Sequence, residues 1–264
     1  MLVLLPPSEG KAASGDGAPV DLGSLSLPEL AAGRRAVLDA LVGLCRGDEE
    51  QAAEVLGLSR GLRGEVARNA GLPEAGALPA GEVYTGVLFD NLGLAKLDAA
   101  AYARAERSLL VFSGLWGAVR IGDRIPPYRC SMGVKLPGIG ALGTYWRTLM
   151  DAAVPAGDGL VLDLRSSAYA AAWKPAGEVA ARTATVRVLH EREVDGVLKR
   201  SVVSHFNKAT KGRLVRDLLN AAAEPAAPGE LVDALTGLGY RVEVSARGTA
   251  KRAWQLDVVV DEIH

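Results

Sequence analysis

Three short, mainly apolar runs constrain the fold of this chain more than any other feature of its sequence. They are Leu2–Leu5, Leu109–Phe112 and Leu160–Leu164, and proline, serine or glycine follows each within two residues. Apolar runs of this length, bounded by turn residues, predict buried β-strands. Helix-like segments lie between them without regular alternation. The mixture predicts an α/β or α+β fold: one domain over residues 1–264, with a mixed central sheet flanked by helices.

Helices are predicted where apolar residues recur every three or four positions. They cover Pro28–Cys45, Glu49–Leu56, Leu62–Ala70, Asp98–Arg107, Thr144–Ala153, Lys208–Ala223 and Leu231–Leu238. Ser26 is placed to cap the first of them. Further strands are predicted at Cys130–Leu136, at Thr183–His190 and Leu198–Phe206 as a hairpin turning at Val194–Val197, and at Tyr240–Ser245 and Trp254–Val260 as an antiparallel pair.

Composition narrows the class of protein. The formal net charge of the 264-residue chain is −1, so a role in nucleic-acid binding needs a local cationic patch. The two cysteines, Cys45 and Cys130, have no paired spacing, which is typical of a reducing compartment. The first apolar stretch is too short for a signal peptide, and no run approaches the ~20 residues that span a bilayer. We therefore expect a cytoplasmic protein with no membrane partner.

The few histidines argue against metal chemistry. His190, His205 and His264 do not have the spacing of metal ligands, and neither cysteine is close to one of them in sequence. We expect no metal site and no cofactor. A Ser-His-Asp triad remains an alternative, although the chain has no G-x-S-x-G elbow to support it.

The segment Gly138–Gly143 matches the G-x-G-x-x-G pattern, and Asp163 follows 20 residues after its last glycine. A dinucleotide fingerprint needs a solid strand directly before the first glycine, and Pro137 interrupts there. Leu136–Gly140 also matches the turn of a helix-hairpin-helix DNA-binding unit, which needs a preceding helix. A plain glycine-proline turn is the favoured interpretation.

A second basic feature lies in the last third of the chain. No acidic residue falls among its cations, which are Lys199, Arg200, Lys208, Lys211, Arg213 and Arg216. On a helix that begins near Lys208, Lys208 and Lys211 share one face close to the N-terminus, where the helix dipole prefers an anion. A bound anion would compensate these charges. The alternative is a solvated positive face.

One local pattern recurs at four predicted strand ends, where a small or hydroxyl-bearing residue is followed by a cation. The four segments contain Ser8 and Lys11, Ser113 with Arg120 and Arg129, Ser166 with Tyr169 and Lys174, and Asn207 with Lys208. Ligands of open sheets bind at strand ends, where loops converge. The pattern predicts a cationic cleft suited to phosphate or carboxylate.

Six motifs in this order resemble the YaaA or peroxide-stress family of bacterial proteins. They are Leu5–Lys11, Val83–Gly86, Ser113–Gly133 with its SGLWG and PYR elements, Tyr145–Trp146, Ser166/Tyr169/Lys174-Pro175, and Lys208–Arg213. The first motif departs from the family pattern, because Pro-Pro-Ser-Glu-Gly-Lys stands where Ser-Pro-Ala-Lys is usual.

The resemblance implies a cytoplasmic protein that lowers damage during hydrogen peroxide stress and is associated with limiting free iron. It implies a mixed α/β fold with a positively charged cleft that binds DNA. Carried over by position, the cleft residues are Lys11, Arg129, Lys174, Lys208, Lys211 and Arg213. The helix-hairpin-helix element of the family falls at either Glu50–Ala70 or Leu136–Met150.

Two main hypotheses follow. In the first, the cations bind DNA largely independently of sequence, and Tyr128 or Trp116 stacks on an unpaired base. In the second, the same residues form the pocket of an enzyme for a small phosphate- or carboxylate-bearing substrate, such as a nucleotide. Tyr128, Ser166 or Tyr169 is then the acid, base or nucleophile, helped by pKa values that the cations depress.

Two weaker interpretations concern redox chemistry. Direct iron sequestration has little support, because the acidic residues are scattered. Cys130 is adjacent to Arg129, which would make it a peroxide-sensitive thiol if the guanidinium lowered its pKa. A buried cysteine in a strand is the favoured alternative.

Overall fold

The computed structural model describes residues 1–194, 197–202 and 204–261. It has a mixed α/β fold in which a mostly parallel central sheet is flanked by helices, and this confirms the predicted fold class. The predicted turn residues at 195–196 and His264 lie outside the described residues.

Twelve strands occur in the described part of the chain. They are β1 (Leu2–Leu5), β2 (Leu78–Pro79), β3 (Leu109–Ser113), β4 (Gly117–Val119), β5 (Arg124–Ile125), β6 (Lys135–Leu136), β7 (Gly140–Ala141), β8 (Val161–Asp163), β9 (Thr183–Val194), β10 (Val197–Ser201), β11 (Arg241–Ala246) and β12 (Trp254–Val260).

Eleven α-helices accompany them within the same described ranges, besides short 3₁₀ turns. They are α1 (Ala31–Cys45), α2 (Glu49–Leu56), α3 (Gly64–Ala70), α4 (Ala80–Val83), α5 (Val87–Leu92), α6 (Ala99–Ser108), α7 (Leu142–Ala153), α8 (Ser167–Ala170), α9 (Gly177–Ala181), α10 (Ser204–Asn220) and α11 (Pro228–Gly237). No helix among the described residues is long and apolar enough to cross a bilayer.

The main sheet has the strand order β11-β12-β9-β8-β1-β3-β4, and β10 adds to β9. Strands β12, β9, β8, β1 and β3 run parallel to one another, whereas β4, β10 and β11 are antiparallel to their neighbours. All residues of β1, β3 and β8 are buried, as their apolar sequences require. One contiguous apolar core surrounds them.

Helix α10 packs closely against α5 because it has a glycine at the crossing point. A Cβ on Gly212 would meet the carbonyl oxygen of Leu88 and would lie 2.9 Å from the backbone nitrogen of Leu92. Backbone atoms cannot move aside as a flexible side chain can. Gly212 therefore sets how closely α10, which carries Lys208 and Lys211, approaches the sheet.

Three local predictions were wrong. Only Lys135–Leu136 of the predicted strand Cys130–Leu136 is a strand, and it forms a small hairpin with β7. Ser26 does not cap a helix; its hydroxyl donates to Asp123, 2.8 Å away. Strand β10 ends at Ser201 and α10 begins at Ser204, so Lys208 does not begin the helix and does not follow a strand.

The glycine-rich segment Gly138–Gly143 is the turn of the β6–β7 hairpin followed by the first residues of α7. The strand before it has only two residues, and this confirms the plain-turn interpretation over the dinucleotide fingerprint. A helix-hairpin-helix unit would require a helix directly before this segment, and β6 stands there instead. The other candidate, Glu50–Ala70, does contain two helices joined by a short connection, since it covers all but the first residue of α2 and the whole of α3.

Candidate functional site

The loops that follow β1, β3 and β8 meet at one edge of the sheet. Leu5 is paired with Val111, and Leu4 is paired with Asp163, so the C-terminal ends of the three parallel strands lie side by side. The loop after β1 is attached to the rest of the site by a bridge between Lys11 and Tyr84. Open α/β sheets bind their ligands at this edge.

Lys11 is enclosed by aromatic rings at this edge. Its Nζ lies 4.6 Å from the ring centroid of Tyr128 and 5.7 Å from that of Tyr84, and it donates to the Ser8 carbonyl at 2.9 Å. Among the described residues it forms no ion pair. Burial lowers the pKa of Lys11 to about 8, although the nearby Glu9 carboxylate opposes the change.

Two tyrosines and a serine form a buried chain of hydroxyl groups beneath Lys11. The Tyr128 hydroxyl lies 2.6 Å from Ser113 Oγ and 3.0 Å from the Tyr84 hydroxyl, and Ser113 Oγ also accepts a hydrogen bond from the Trp116 N–H. Burial raises the pKa of Tyr84 to about 12 and that of Tyr128 well above its ordinary value. Both phenols are therefore neutral at physiological pH.

Tyr169 and Cys130 are also buried and lie near this cluster. The Tyr169 hydroxyl accepts a hydrogen bond from the Met132 N–H, and burial raises the pKa of Tyr169. Burial also raises the pKa of Cys130 to about 12, so the thiol stays protonated. These directions contradict the expectation of depressed pKa values, because burial outweighs the neighbouring cations. They favour a buried cysteine over a peroxide-sensitive thiol, although Cys130 is not in a strand.

Arg129 lies beside this cluster but is already paired. Its guanidinium contacts the Glu9 carboxylate at 3.0 Å and the Glu9 carbonyl at 3.1 Å. Its backbone is fixed by the buried Asn69, whose amide accepts from the Arg129 N–H and donates to its carbonyl. An anionic ligand would therefore have to compete with Glu9 for Arg129.

The end of β8 contributes a buried ion pair. Arg165 donates to both carboxylate oxygens of Asp163, at 2.9 and 2.6 Å, and its guanidinium lies 4.2 Å from the Phe112 ring centroid. Lys211 donates to the Leu164 carbonyl at 3.3 Å. Burial lowers the pKa of Lys211, with the Asp163 carboxylate opposing. Lys211 therefore faces the sheet edge, as the predicted site requires.

Lys174 and Lys208 border the same edge and are exposed. Lys208 lines a cavity of about 170 Å³ with Ser8, Glu9 and Gly86. Lys174 lines a second, open cavity of about 300 Å³ with Arg165 and Trp173. Ser166 is exposed and precedes α8.

Two predicted cations lie elsewhere. Arg120 donates to the carbonyls of Glu106 and Arg107 at the end of α6, so it lies at the opposite edge of the sheet, before β3 begins. Arg213 lies near Thr210 and Tyr240, and Tyr240 directly precedes β11, the strand at the far end of the sheet order. The structure does not bring either one to Lys11, and we leave both out of the site.

The aromatic residues proposed to stack on bases are inside the protein. Trp116 is fully buried and Tyr128 is 1% exposed. Their rings pack edge to face, with centroids 6.1 Å apart. Stacking on an unpaired base was therefore a wrong prediction, because a base cannot reach either ring.

Sequence reasoning missed three residues of the site: Tyr84, Glu9 and Asn69. Tyr84 is within the Val83–Gly86 motif, and that motif could have identified it. A tyrosine close to a glycine in a loop is a candidate ligand-binding residue. Glu9 is two positions before Lys11 in the sequence. Asn69 gave no signal, because its partner Arg129 is 60 positions away.

No group of three or more potential metal ligands occurs among the described histidines, cysteines and acidic residues. Among the described residues, the candidate site contains lysine amines, tyrosine phenols, serine hydroxyls and the guanidinium groups of Arg129 and Arg165, and these two arginines pair with its acidic residues Glu9 and Asp163.

Comparison with known proteins identifies the family. A family model described as "Peroxide stress protein YaaA" matches residues 1–246. The chain is 70% identical to a UPF0246 protein of Streptomyces coelicolor, over the full length of both. It is 43% identical to one of Corynebacterium efficiens, over 93% of this chain and 96% of that protein. The chain therefore belongs to the YaaA family of peroxide stress proteins, the UPF0246 proteins.

Proposed function

We propose that this protein acts in the cytoplasm during peroxide stress by binding DNA through the phosphates of its backbone, at the C-terminal edge of the sheet. One observation carries the proposal. Lys174 and Lys208 are exposed on two separate segments that border this edge, and neither forms an ion pair with any described residue. Exposed, unpaired lysines are the groups that exchange counterions for phosphates. We further propose that its role includes limiting oxidative damage and free iron, the association implied by the resemblance to the family.

Binding of this kind recognises the phosphate backbone and not the bases. Because Trp116 and Tyr128 are buried, stacking does not add to affinity for single strands. We expect weak dependence on sequence and a steep loss of affinity with salt. The formal net charge of −1 limits attraction at long range, so that the local patch determines binding.

Changing Lys208 to glutamine should reduce the slope of log K against log salt by about 0.9 for duplex DNA, the effect of one lost phosphate contact. Fluorescence anisotropy from low to moderate salt measures it. Lys251→Gln is the matched control, because Lys251 is an exposed lysine in the loop before β12, at the opposite edge. Equal slopes for both variants, or no binding by the wild type at low salt, would refute the DNA interface.

A second candidate function is an enzyme for a small phosphate- or carboxylate-bearing substrate. The position of Lys11 against the rings of Tyr84 and Tyr128 favours it, since a surface that only binds DNA has no need of a lysine among neutral phenols. Convergent polar groups of this type are common in preorganised pockets. In this reading Lys208 and Ser8 bind the anion at the adjacent cavity.

Inorganic phosphate should raise the melting temperature of the wild type above that in chloride of the same ionic strength, because binding to the folded state stabilises it. Lys208→Gln should lose this increase and Lys251→Gln should keep it. Equal melting temperatures in phosphate and chloride would count against an anion pocket.

A further inference from the structure

The carboxylate of Glu9 occupies a position where the anionic group of a ligand would bind. It lies 3.0 Å from the Arg129 guanidinium, and Glu9 also lines the cavity of about 170 Å³ that Lys208 borders. Among the described residues that line this cavity, Glu9 is the acidic one and Lys208 is the basic one. The protein therefore holds one of its own carboxylates at the site proposed for an anion.

The Arg129 guanidinium is held in place by more than this carboxylate. Its Nη1 donates to the Glu9 backbone carbonyl at 3.1 Å, whereas its Nη2 contacts the Glu9 carboxylate. Two hydrogen bonds with the Asn69 side chain fix the Arg129 backbone. If the carboxylate turned away, Nη1 would keep its carbonyl partner, and Nη2 would be available to another anion without a change in the position of Arg129.

The loop that carries Glu9 is fixed through the backbone on both sides of this residue. Lys11 Nζ donates to the Ser8 carbonyl at 2.9 Å, and the Thr85 N–H donates to the Gly10 carbonyl at 3.2 Å. The Glu9 side chain, in contrast, is 57% exposed. Rotation of this side chain alone releases its carboxylate into solvent, and an exposed pair of this kind is weak enough to be exchanged for a ligand.

We propose that Glu9 is a built-in competitor, which occupies Nη2 of Arg129 until a phosphate monoester displaces it. The exchange costs every ligand of Arg129 the same free energy, so it excludes those that gain little in return. A ligand carboxylate only replaces one monoanion by another, and it competes with a carboxylate that is tethered at the site. It therefore binds weakly.

A phosphate monoester gains more from the exchange. It carries a charge of about −1.5 to −2 at pH 7 and offers three strong acceptor oxygens. One oxygen takes the place of the Glu9 carboxylate at Arg129. The others are free to bind Lys208, which forms no ion pair with any described residue and borders the same cavity.

The inference rests on the proposed binding of anions at this edge of the sheet, and it names their chemical class. Two sources offer a phosphate monoester: a small phosphorylated compound and the terminal phosphate of a DNA strand. Internal phosphates of DNA carry one negative charge each. They would contact the exposed lysines without displacing Glu9.

Anion titrations of the full-length protein at pH 7.5 and constant ionic strength test the proposal, with the melting temperature as the measure of binding. Inorganic phosphate should stabilise the wild type more than acetate does. Glu9→Gln should bind phosphate about two- to fivefold more tightly than the wild type, because an exposed ion pair no longer has to be broken. Glu243→Gln is the matched control, since Glu243 is also exposed and paired with an arginine, but lies in β11 at the far end of the sheet order. It should bind phosphate like the wild type.

Arg129→Gln separates exchange at Arg129 from a general effect of charge. If Glu9 has to leave Arg129 when phosphate binds, most of the gain from Glu9→Gln should disappear in the Arg129→Gln background. If Glu9 only repels anions through space, the gain should be as large or larger there, because Arg129 no longer neutralises its charge. That second result overturns the competitor. Equal phosphate affinity of the wild type and Glu9→Gln overturns it as well, whether or not the Arg129 variant folds.

The outcomes distinguish this inference from the function on which it rests. If the wild type binds phosphate, Lys208→Gln loses that binding and Glu9→Gln changes nothing, the anion site stands and the competitor is wrong. If phosphate stabilises neither the wild type nor Glu9→Gln, both are wrong. Duplex DNA with and without a 5′-phosphate identifies the source of the monoester. Tighter binding of the phosphorylated duplex supports a strand end, and equal binding of both duplexes together with retained binding of inorganic phosphate supports a small phosphorylated compound.

Discussion

Replacing Gly212 with alanine should destabilise the protein by about 1–3 kcal/mol, the usual cost of forcing an extra carbon into a packed interior. The added Cβ would meet the Leu88 carbonyl and would lie 2.9 Å from the Leu92 nitrogen, both of which are backbone atoms of α5. Helices α5 and α10 must then separate. Since α10 carries Lys208 and Lys211, the change should also weaken binding of phosphate or DNA. Urea unfolding and the binding assays measure the two effects.

Gly43→Ala is the matched control for this prediction. Gly43 is also inside a helix, α1, but it is exposed and a Cβ there would meet no atom within 4 Å. Alanine is the better helix former, so this variant should gain about 0.5–1 kcal/mol. If both variants changed stability in the same direction and by the same amount, the close approach of α10 to α5 would not be the cause.

The second large effect is the change that Lys11 makes to the pH dependence of the free energy of unfolding. The folded-state pKa of about 8 lies below the ordinary value of 10.5, so between these values the unfolded chain holds a proton that the folded protein has lost. Stability therefore rises with pH across this window. The penalty for the buried cation, about 3 kcal/mol, applies in full below pH 8 and is absent above 10.5. Lys11→Met should lack this rise.

Comparing the wild type with Lys11→Met at each pH isolates this contribution from that of the tyrosines. Tyr84, Tyr128 and Tyr169 have raised pKa values and act in the opposite direction, because above pH 10 the unfolded chain loses protons that they retain. Denaturant unfolding at pH 7, 8, 9 and 10 measures the difference. Lys208→Met, at an exposed site, should change stability by less than about 0.5 kcal/mol throughout. A constant difference between the wild type and Lys11→Met would contradict the assignment.

The regular elements of the fold could be predicted because each carries a local signal. Strands β1 and β3 are short apolar runs, and Asp48 directly precedes α2, where its carboxylate accepts a hydrogen bond from the Gln51 N–H and caps the helix. The error at Cys130–Leu136 has a different origin. Cys130, Met132, Val134 and Leu136 are buried at every second position, which is the pattern of a strand, yet only Lys135–Leu136 pairs with another strand.

The site could be predicted in part. Loops at strand ends place Lys11 and Lys174 at one edge, because parallel strands bring their C-terminal ends together, whereas Lys208 and Lys211 reach that edge on helix α10. The roles of the arginines in residues 112–133 could not be predicted. Arg120 and Arg124 bind backbone carbonyls of distant segments, and only Arg129 reaches Lys11. Such pairings depend on the folded path of the chain.

The rings that face Lys11 come from segments far apart along the chain, with Tyr84 and Tyr128 following it in that order. During synthesis the amine therefore emerges from the ribosome well before the tyrosines that bury it. Until residues near 128 have been made and the parallel strands have paired, which is a slow step in such topologies, this amine is solvated and protonated. Its lowered pKa thus belongs only to the finished protein, and a truncated chain has an ordinary lysine at this position.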